Sequence, residues 1–452
     1  MGAALAQDGA AIKKAQRPNV VIVMADDLDS RQLSCYGGKN LRTPHIDALA
    51  SQGMRFNQMI ASEAMCVPTR ASLFTGLYPV RHGAFQNHKP VNEGVKSICH
   101  YLGDLGYEVA LTGKDHVTKP ESIFPFRIIR GFETNCVSPT DDYSLADIRE
   151  FILKRAGQPY CLFIMSNNPH APWTVGDPSE FRADDLVLPP HWVDTRDVRM
   201  QFTKYLAEVR RLDNQVGDVM ALLKETGQED NTVFIFLGEQ GPQFPGGKWT
   251  LWDNGQKSSM IVRWPGKVKP KSHSEAIVQY EDITPTLVAM AGGQPLSGLD
   301  GRSFLPVLLG QSTVARDYAY GIHNNQPEGP AYPIRSVRDG RYKLILNLAA
   351  SQEYYIKYMM NPAKKNSYWN TWTSKAETSA ADRKLIERIV HRPAVEFYDL
   401  QKDPFELNNL ANLASYKDLV KRYRAQLAAW MEQQGDEGAA IDKNYIKEKN
   451  EH

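Results

Sequence analysis

Asn19-Val20-Val21-Ile22-Val23-Met24-Ala25-Asp26-Asp27 is the stretch from which the fold can be read. Its apolar run, Asn19 to Ala25, is rich in β-branched residues, as a strand buried on both faces requires. It ends abruptly on two carboxylates. Similar runs recur at Pro159 to Met165 (PYCLFIM) and Asn231 to Leu237 (NTVFIFL). Between them lie helical patterns at Pro44 to Gln52, Ala71 to Leu77, Ser97 to Leu105, Tyr143 to Arg155, and about Asp197 to Glu225. Strands alternating with helices predict an α/β fold, a mostly parallel sheet flanked by helices. Ligands in such folds bind beyond the carboxyl ends of the strands. The chemically suggestive residues stand there: Asp26-Asp27 after the first run, Asn167-Asn168-Pro169-His170 after the second, and Glu239-Gln240-Gly241 after the third.

After about residue 315 the texture changes. Arg335 to Leu348 (RSVRDGRYKLILNL) reads as two short strands around Asp339-Gly340, a strong hairpin signal. A Tyr/Trp/Lys-rich stretch over 353–392 follows, then a further short strand and an amphipathic helix near 415–434. Residues 17–315 are therefore expected to form the larger domain and 316–452 a smaller C-terminal α+β domain. A chain of 452 residues exceeds what one compact core usually serves.

Composition narrows the function classes. With 42% hydrophobic and 23% charged residues the chain is ordinary globular material. A formal net charge of +1 removes the electrostatic footprint of a nucleic-acid binder. An anionic substrate would need positive charge placed locally, by a few Lys, Arg and His or by a metal. No stretch approaches the roughly 20 apolar residues of a membrane span. Residues 1–16 read as a tail or signal remnant, because Ala4-Leu5-Ala6 has the small-x-small form of a signal-peptidase site. Export to the periplasm or outside the cell is the matching expectation. Five cysteines (35, 66, 99, 136, 161) show no close pair and no repeated spacing, so neither a zinc site nor a dense disulfide framework is expected.

Asp26-Asp27 puts two carboxylates where the backbone leaves the sheet. Such pairs also serve as helix caps or solvated turns, but Glu239-Gln240 repeats the arrangement at another strand end. Four oxygen-bearing side chains suit a hard cation, Ca²⁺ or Mg²⁺. Cys66 precedes Pro68, a residue favoured at the first position of a helix. The free N–H groups and dipole of that helix start form a natural anion site. Arg70, one turn on, can aim its guanidinium at the same place.

The run Ala64-Met65-Cys66-Val67-Pro68-Thr69-Arg70-Ala71-Ser72-Leu73-Phe74-Thr75-Gly76 resembles the signature of the type I sulfatases. The likeness extends through Arg17-Pro18-Asn19, Thr43-Pro44-His45-Ile46-Asp47 and Gly113-Lys114-Asp115-His116. It resumes at Asp282-Ile283-Thr284-Pro285-Thr286 and ends in Glu396-Phe397-Tyr398-Asp399-Leu400 through Asn409-Leu410. Within the family the chain resembles the heparan N-sulfatase (sulfamidase) branch, through Phe124-Pro125-Phe126, Gln243-Phe244-Pro245-Gly246-Gly247-Lys248 and Tyr332-Pro333-Ile334-Arg335.

The resemblance implies an alkaline-phosphatase-like fold and a nucleophile, formylglycine (3-oxoalanine), made from Cys66 by a formylglycine-generating maturation enzyme. It further implies Ca²⁺ held by Asp26, Asp27, Glu239 and Gln240. Arg70 and Lys114 would hold the nucleophile and sulfate, His116 would accept a proton, and His170 and Lys248 would face the departing alcohol or amine. His88, Asp115, Trp173 and His323, with Trp249 and Trp252, are candidate contacts to a sulfated carbohydrate, first of all N-sulfoglucosamine of heparan-type chains. Thr69 stands where the family most often has Ser, Glu239-Gln240 where many members have Asp-Asn, and Asp115 where an aromatic residue is frequent. All keep the required functional groups. An O-sulfatase on another glycan and a phosphonate or phosphodiester hydrolase of related fold are the competing expectations.

Overall fold

The computed structural model describes residues 17–140, 143–155, 157–363 and 368–441; the expected signal remnant at 1–16 lies outside the described residues. Eight strands form one sheet: β1 (Asn19–Met24), β2 (Met54–Ile60), β3 (Glu108–Gly113), β4 (Arg127–Ile128), β5 (Tyr160–Met165), β6 (Thr232–Leu237), β7 (Lys257–Arg263) and β8 (Ser272–Gln279). Their order is β4-β3-β5-β1-β6-β7-β2-β8. Every neighbouring pair is parallel except the two made by β7, which runs against both β6 and β2.

The opening run occupies the middle of this sheet. Residues Val20–Met24 pair with Cys161–Met165 on one side, and Asn19–Met24 with Thr232–Leu237 on the other. All six residues of β1 are buried, and they alternate between two cores. Val21 and Val23 pack into a core with Val209, Leu212 and Val216 of the helix Arg196–Glu225. Val20, Ile22 and Met24 pack on the opposite face with Leu73 and Phe74 of the helix Cys66–Thr75 and Leu287 of the helix Ile283–Met290. Each fully buried aliphatic side chain stabilises by roughly 1.5–3 kcal/mol. A one-residue slip of β1 would exchange its neighbours in both cores.

The second sheet is antiparallel, β12-β11-β10-β9, built from β9 (Ala319–His323), β10 (Ile334–Arg338), β11 (Tyr342–Asn347) and β12 (Val395–Asp399). The expected hairpin around Asp339-Gly340 joins β10 and β11. Ile322, Val337, Leu344 and Phe397 on one face meet Tyr423, Leu427 and Trp430 of the terminal helix Lys417–Gln434. Ile334 and Ile345 on the other face join the larger core of the first sheet. The two sheets touch where Ile60, Ile277 and Ala319 pack together.

The helix carrying Cys66 starts earlier than expected. It spans Cys66–Thr75, so Cys66 is its first residue and Pro68 its third. The first-turn N–H groups have no carbonyl partner within the helix, so Pro is tolerated throughout that turn. All ten residues are buried.

Candidate active site

Strand ends deliver the site. Asp26 and Asp27 follow β1, Lys114 and His116 follow β3, His170 follows β5, and Glu239 and Gln240 follow β6. Backbone hydrogen bonds tie these ends together: the Ala25 N–H donates to Leu237 O (2.9 Å), Asp26 N–H to Asn168 O (3.0 Å) and Lys114 N–H to Met165 O (2.9 Å). The helix Cys66–Thr75 aims its first turn at the same point, and Asn87 accepts from the Val67 N–H at 3.4 Å.

Cys66 Sγ lies 3.5 Å from Asp26 Oδ1, and Gln240 Nε2 approaches it to 3.4 Å. Asp26, Asp27, Cys66 and Glu239, all buried, bring ligand-capable atoms within 4.8 Å of one another. Three cations face the three carboxylates. Arg70 Nε donates to Glu239 Oε1 (2.6 Å), Lys248 Nζ to Asp27 Oδ2 (2.8 Å), and Lys114 Nζ to Asp26 Oδ2. His170 Nε2 stands 3.6 Å from Asp27 Oδ2, its Nδ1 3.1 Å from Cys136 O.

The electrostatics follow from burial and these pairs. Burial opposes ionisation of Asp26, yet Lys114, His170, Glu239 and Arg70 hold its carboxyl well below the usual range. Glu239 is pushed up to about 8, chiefly by burial, with Arg70 working against the rise. Burial, with Glu239 adding to it, raises the Cys66 thiol well above its usual range. Burial holds the His170 imidazole down at about 4, partly offset by Asp26. His116 is also lowered, by burial and by Lys114 and Arg70. Both imidazoles are neutral near pH 7.

Three buried carboxylates closing on one point form a hard-oxygen set that fits a divalent cation. Burial works against ionisation of the Glu239 carboxyl, and a divalent cation at this point would favour its charged form. Gln240 departs from the expectation in one respect. Its Nε2 donates to Asp27 Oδ1 (2.7 Å) and Glu239 Oε2 (2.8 Å), while Oε1 accepts from Thr69 Oγ1 at 3.3 Å. Facing its oxygen to a cation requires a half-turn of the amide, which nearly preserves its shape. Two further polar atoms, Arg70 Nη2 and His116 Nδ1, are buried without a hydrogen-bond partner. A bound anion would satisfy the first.

Backbone strain gathers here too. Of the seven non-glycine residues with left-handed φ among those described, Asp27 (62°), His88 (66°), His116 (27°) and Trp249 (67°) lie at the site. Each costs on the order of 1–3 kcal/mol, and such outliers cluster where side chains must be aimed.

The site opens into a cavity of about 680 Å³ whose lining includes Cys66, His88, His116, His170, Lys248 and Trp249. That is within the roughly 300–1,000 Å³ typical of ligand pockets. Trp173 lines it while stacking on Phe244, with centroids 4.7 Å apart. Three candidate sugar contacts lie outside the cavity lining. His323 ends β9 with no exposure, its Nε2 3.4 Å from Asn325 Oδ1, so it is a core histidine of the second sheet. Asp115 is exposed and turned out of the cavity lining, since the strained turn at His116 aims that neighbour inward instead. Trp252 is likewise core: its Nε1 donates to Glu396 Oε2 (2.8 Å) beneath the guanidiniums of Arg388 and Arg392. Sequence reasoning missed Asn87, Cys136, Lys204, Gln243, Glu328 and Tyr358, all of which line the cavity. Only Asn87, beside His88, and Gln243, which opens the motif ending in Lys248, carried any sequence signal. All five cysteines are free thiols.

The family model described as Sulfatase matches residues 18–293, which span every one of these strand ends. The chain belongs to the sulfatase family. A second model, N-sulphoglucosamine sulphohydrolase, C-terminal, matches residues 247–377 and places this sulfatase in the sulfamidase-like branch of the type I enzymes. An ulvan-active sulfatase of Formosa agariphila is 34% identical over 429 residues, covering 93% of this chain and 81% of that protein. The human N-sulphoglucosamine sulphohydrolase is 26% identical, covering 96% and 94% respectively. A solved structure, BT4656 in complex with its substrate D-glucosamine-2-N,6-O-disulfate, shares the fold at a TM-score of 0.72 and 20% identity, covering 93% of this chain and 99% of that one. The fold of this sulfatase is thus the alkaline-phosphatase-like one, and its reaction is hydrolysis of a sulfate ester or sulfamate. Among the described residues no helix is long and apolar enough to cross a membrane.

Proposed function

We propose that this sulfatase removes sulfate from sulfated carbohydrates, N-sulfoglucosamine of heparan-type glycans first among them. Cys66, converted to formylglycine by a maturation enzyme, would be the nucleophile, and Asp26, Asp27, Glu239 and Gln240 would hold Ca²⁺. The observation that carries this reading is Cys66 at the start of a buried helix, 3.5 Å from Asp26, amid three carboxylates and three cations. Bound Ca²⁺ would supply charge neutralisation for a sulfate oxygen, and the hydrated aldehyde an oxygen nucleophile.

The protein's own groups do the rest. Arg70, fixed by Glu239 and by the Lys114 carbonyl (3.1 Å), keeps Nη2 free to bind a sulfate oxygen. Lys114, anchored on Asp26, adds positive charge beside Cys66. His116 leaves its buried Nδ1 without a partner, and would accept a proton there. Lys248 and His170 converge on the Asp27 side of the cavity, where they would face the bridging oxygen or nitrogen, and the Lys248 ammonium would donate the proton it needs on departure. Export of the chain remains part of this reading.

The N-sulfoglucosamine choice is supported by the matched C-terminal family model and the human relative. One observation favours a second reading, an O-sulfatase for another glycan: the higher identity to the ulvan-active relative. The test is a mass spectrum of the Cys66 peptide from protein produced alongside a maturation enzyme, followed by sulfate release from heparin disaccharides and ulvan fragments with and without a calcium chelator. Expected are the mass of formylglycine, release from N-sulfated disaccharides and loss on chelation. A fully active protein with an unmodified thiol would overturn the mechanism, and release from ulvan alone the sugar.

A further inference from the structure

Glu328 comes from the loop between β9 and β10, so the second sheet delivers it, with Tyr358 and Tyr368 from beyond β11, to a cavity whose other walls follow strands of the first. It is only 2% exposed yet lines that cavity. One carboxylate oxygen, Oε1, accepts from Asn87 Nδ2 at 2.8 Å. Asn87 in turn accepts from the N–H of Val67, the residue after Cys66. The other oxygen, Oε2, is buried with no hydrogen-bond partner, and Glu328 forms no ion pair among the described residues. A buried acceptor left unpaired is costly, and protein donors do not reach this one. The remaining source of a donor is whatever fills the cavity.

We propose that Glu328 determines specificity by accepting a hydroxyl or N–H donor from the sugar ring that carries the scissile sulfate. The same carboxylate repels a second sulfate or a uronate at that position, so monosulfated rings with free donors are selected over doubly sulfated ones. This rests on the sulfated-carbohydrate reading above. Discrimination of this kind is strong because a wrong substrate leaves a buried polar group unpaired or faces it with like charge.

The test uses the full-length matured enzyme and its Glu328→Gln and Glu328→Ala variants. Three substrates are compared: a monosulfated glucosamine (N-sulfate, then 6-O-sulfate), D-glucosamine-2-N,6-O-disulfate, and 4-methylumbelliferyl sulfate, which has no ring donors. Wild type should show kcat/KM at least tenfold higher for the monosulfated ring. Glu328→Gln, which keeps the shape and removes the charge, should shift the disulfated-to-monosulfated ratio upward about tenfold, mainly through KM. Glu328→Ala should lose more than tenfold on the monosulfated sugar, at least fivefold more than on the aryl ester. Equal losses on all three substrates would mean that Glu328 only supports Asn87 and the helix start, and would overturn the proposal, as would a variant ratio unchanged from wild type. If wild type cleaves the aryl ester but no saccharide, the carbohydrate reading itself fails and this inference with it.

Discussion

Asp26 is where single side chains set the behaviour of the site. Its carboxylate pairs with Lys114, lies 3.9 Å from Arg70 Nη2, and accepts from Cys66. Asp26→Asn should lower sulfate release by roughly 100-fold or more, the usual scale for one charge-stabilising group. It should also lower stability by about 3–5 kcal/mol, because Lys114 is left buried without its counter-ion. Kinetics and thermal unfolding check both; an active, equally stable variant would remove Asp26 from the centre of the site. Glu281 gives a pH prediction free of the reaction. Burial pushes its carboxyl from 4.5 up to about 7, against Ser62 and Arg316, which favour the charged form. The folded protein therefore holds this proton where the unfolded chain has lost it. Stability should fall as pH rises between about 4.5 and 7, by up to about 3 kcal/mol from this group. Glu281→Gln should flatten that slope in urea titrations at pH 5 and 8, and an unchanged slope would refute it.

At the scale of elements, the loop after β6 has almost no freedom. A Cβ on Gly241 would stand 1.6 Å from Asn254 O, and the Gly241 N–H already donates to Gly255 O at 2.8 Å. Gly241→Ala should shift Gln240 and Lys248, cost about 1–3 kcal/mol by overpacking, and reduce sulfate release more than tenfold. Wild-type activity and melting temperature in that variant would show that the loop has slack. The central strands β1, β5 and β6 were legible in the sequence because both faces are buried and the runs are unbroken. β2 (MRFNQMI), β8 (SHSEAIVQ) and β9 (AYGIH) were not. The first two mix polar and apolar residues and pair through a register shift near Phe56, which scrambles the alternation. The residues proposed for catalysis could be picked out because most of them follow strands, and the structure brings them to one point. His323 misled because a histidine at a strand end says nothing about which way it faces. Cys136 was invisible because its loop is placed by contacts distant in sequence, such as Asn167 Nδ2 to Asn135 O (3.2 Å).

For the whole molecule, Asp253 ties the two sheets together. It leaves the loop beyond β6 and accepts from Arg338 of β10 (2.6 Å) and Lys343 of β11 (2.7 Å), while its own N–H donates to Glu406. Burial works to raise its pKa, but Arg338 and Lys343 hold it far below the ordinary carboxylate range. Asp253→Asn leaves Arg338 buried without its carboxylate and Lys343 with Glu406 alone (3.1 Å), and should cost about 3–5 kcal/mol. Scanning calorimetry of this variant should show the second sheet melting ahead of the first. A single transition at the wild-type temperature would show that the apolar contacts suffice.

The burial of the Cys66 helix also fixes an order of events. Cys66 is 1% exposed, at the base of a cavity wide enough for a sugar but closed to another protein's active site. Any enzyme that remodels this thiol must therefore meet it as an extended chain. On the proposed mechanism, a molecule that folds before conversion keeps its thiol and stays inactive. Incubating folded, unconverted protein with a maturation enzyme should yield no new activity, whereas unfolding and refolding in its presence should.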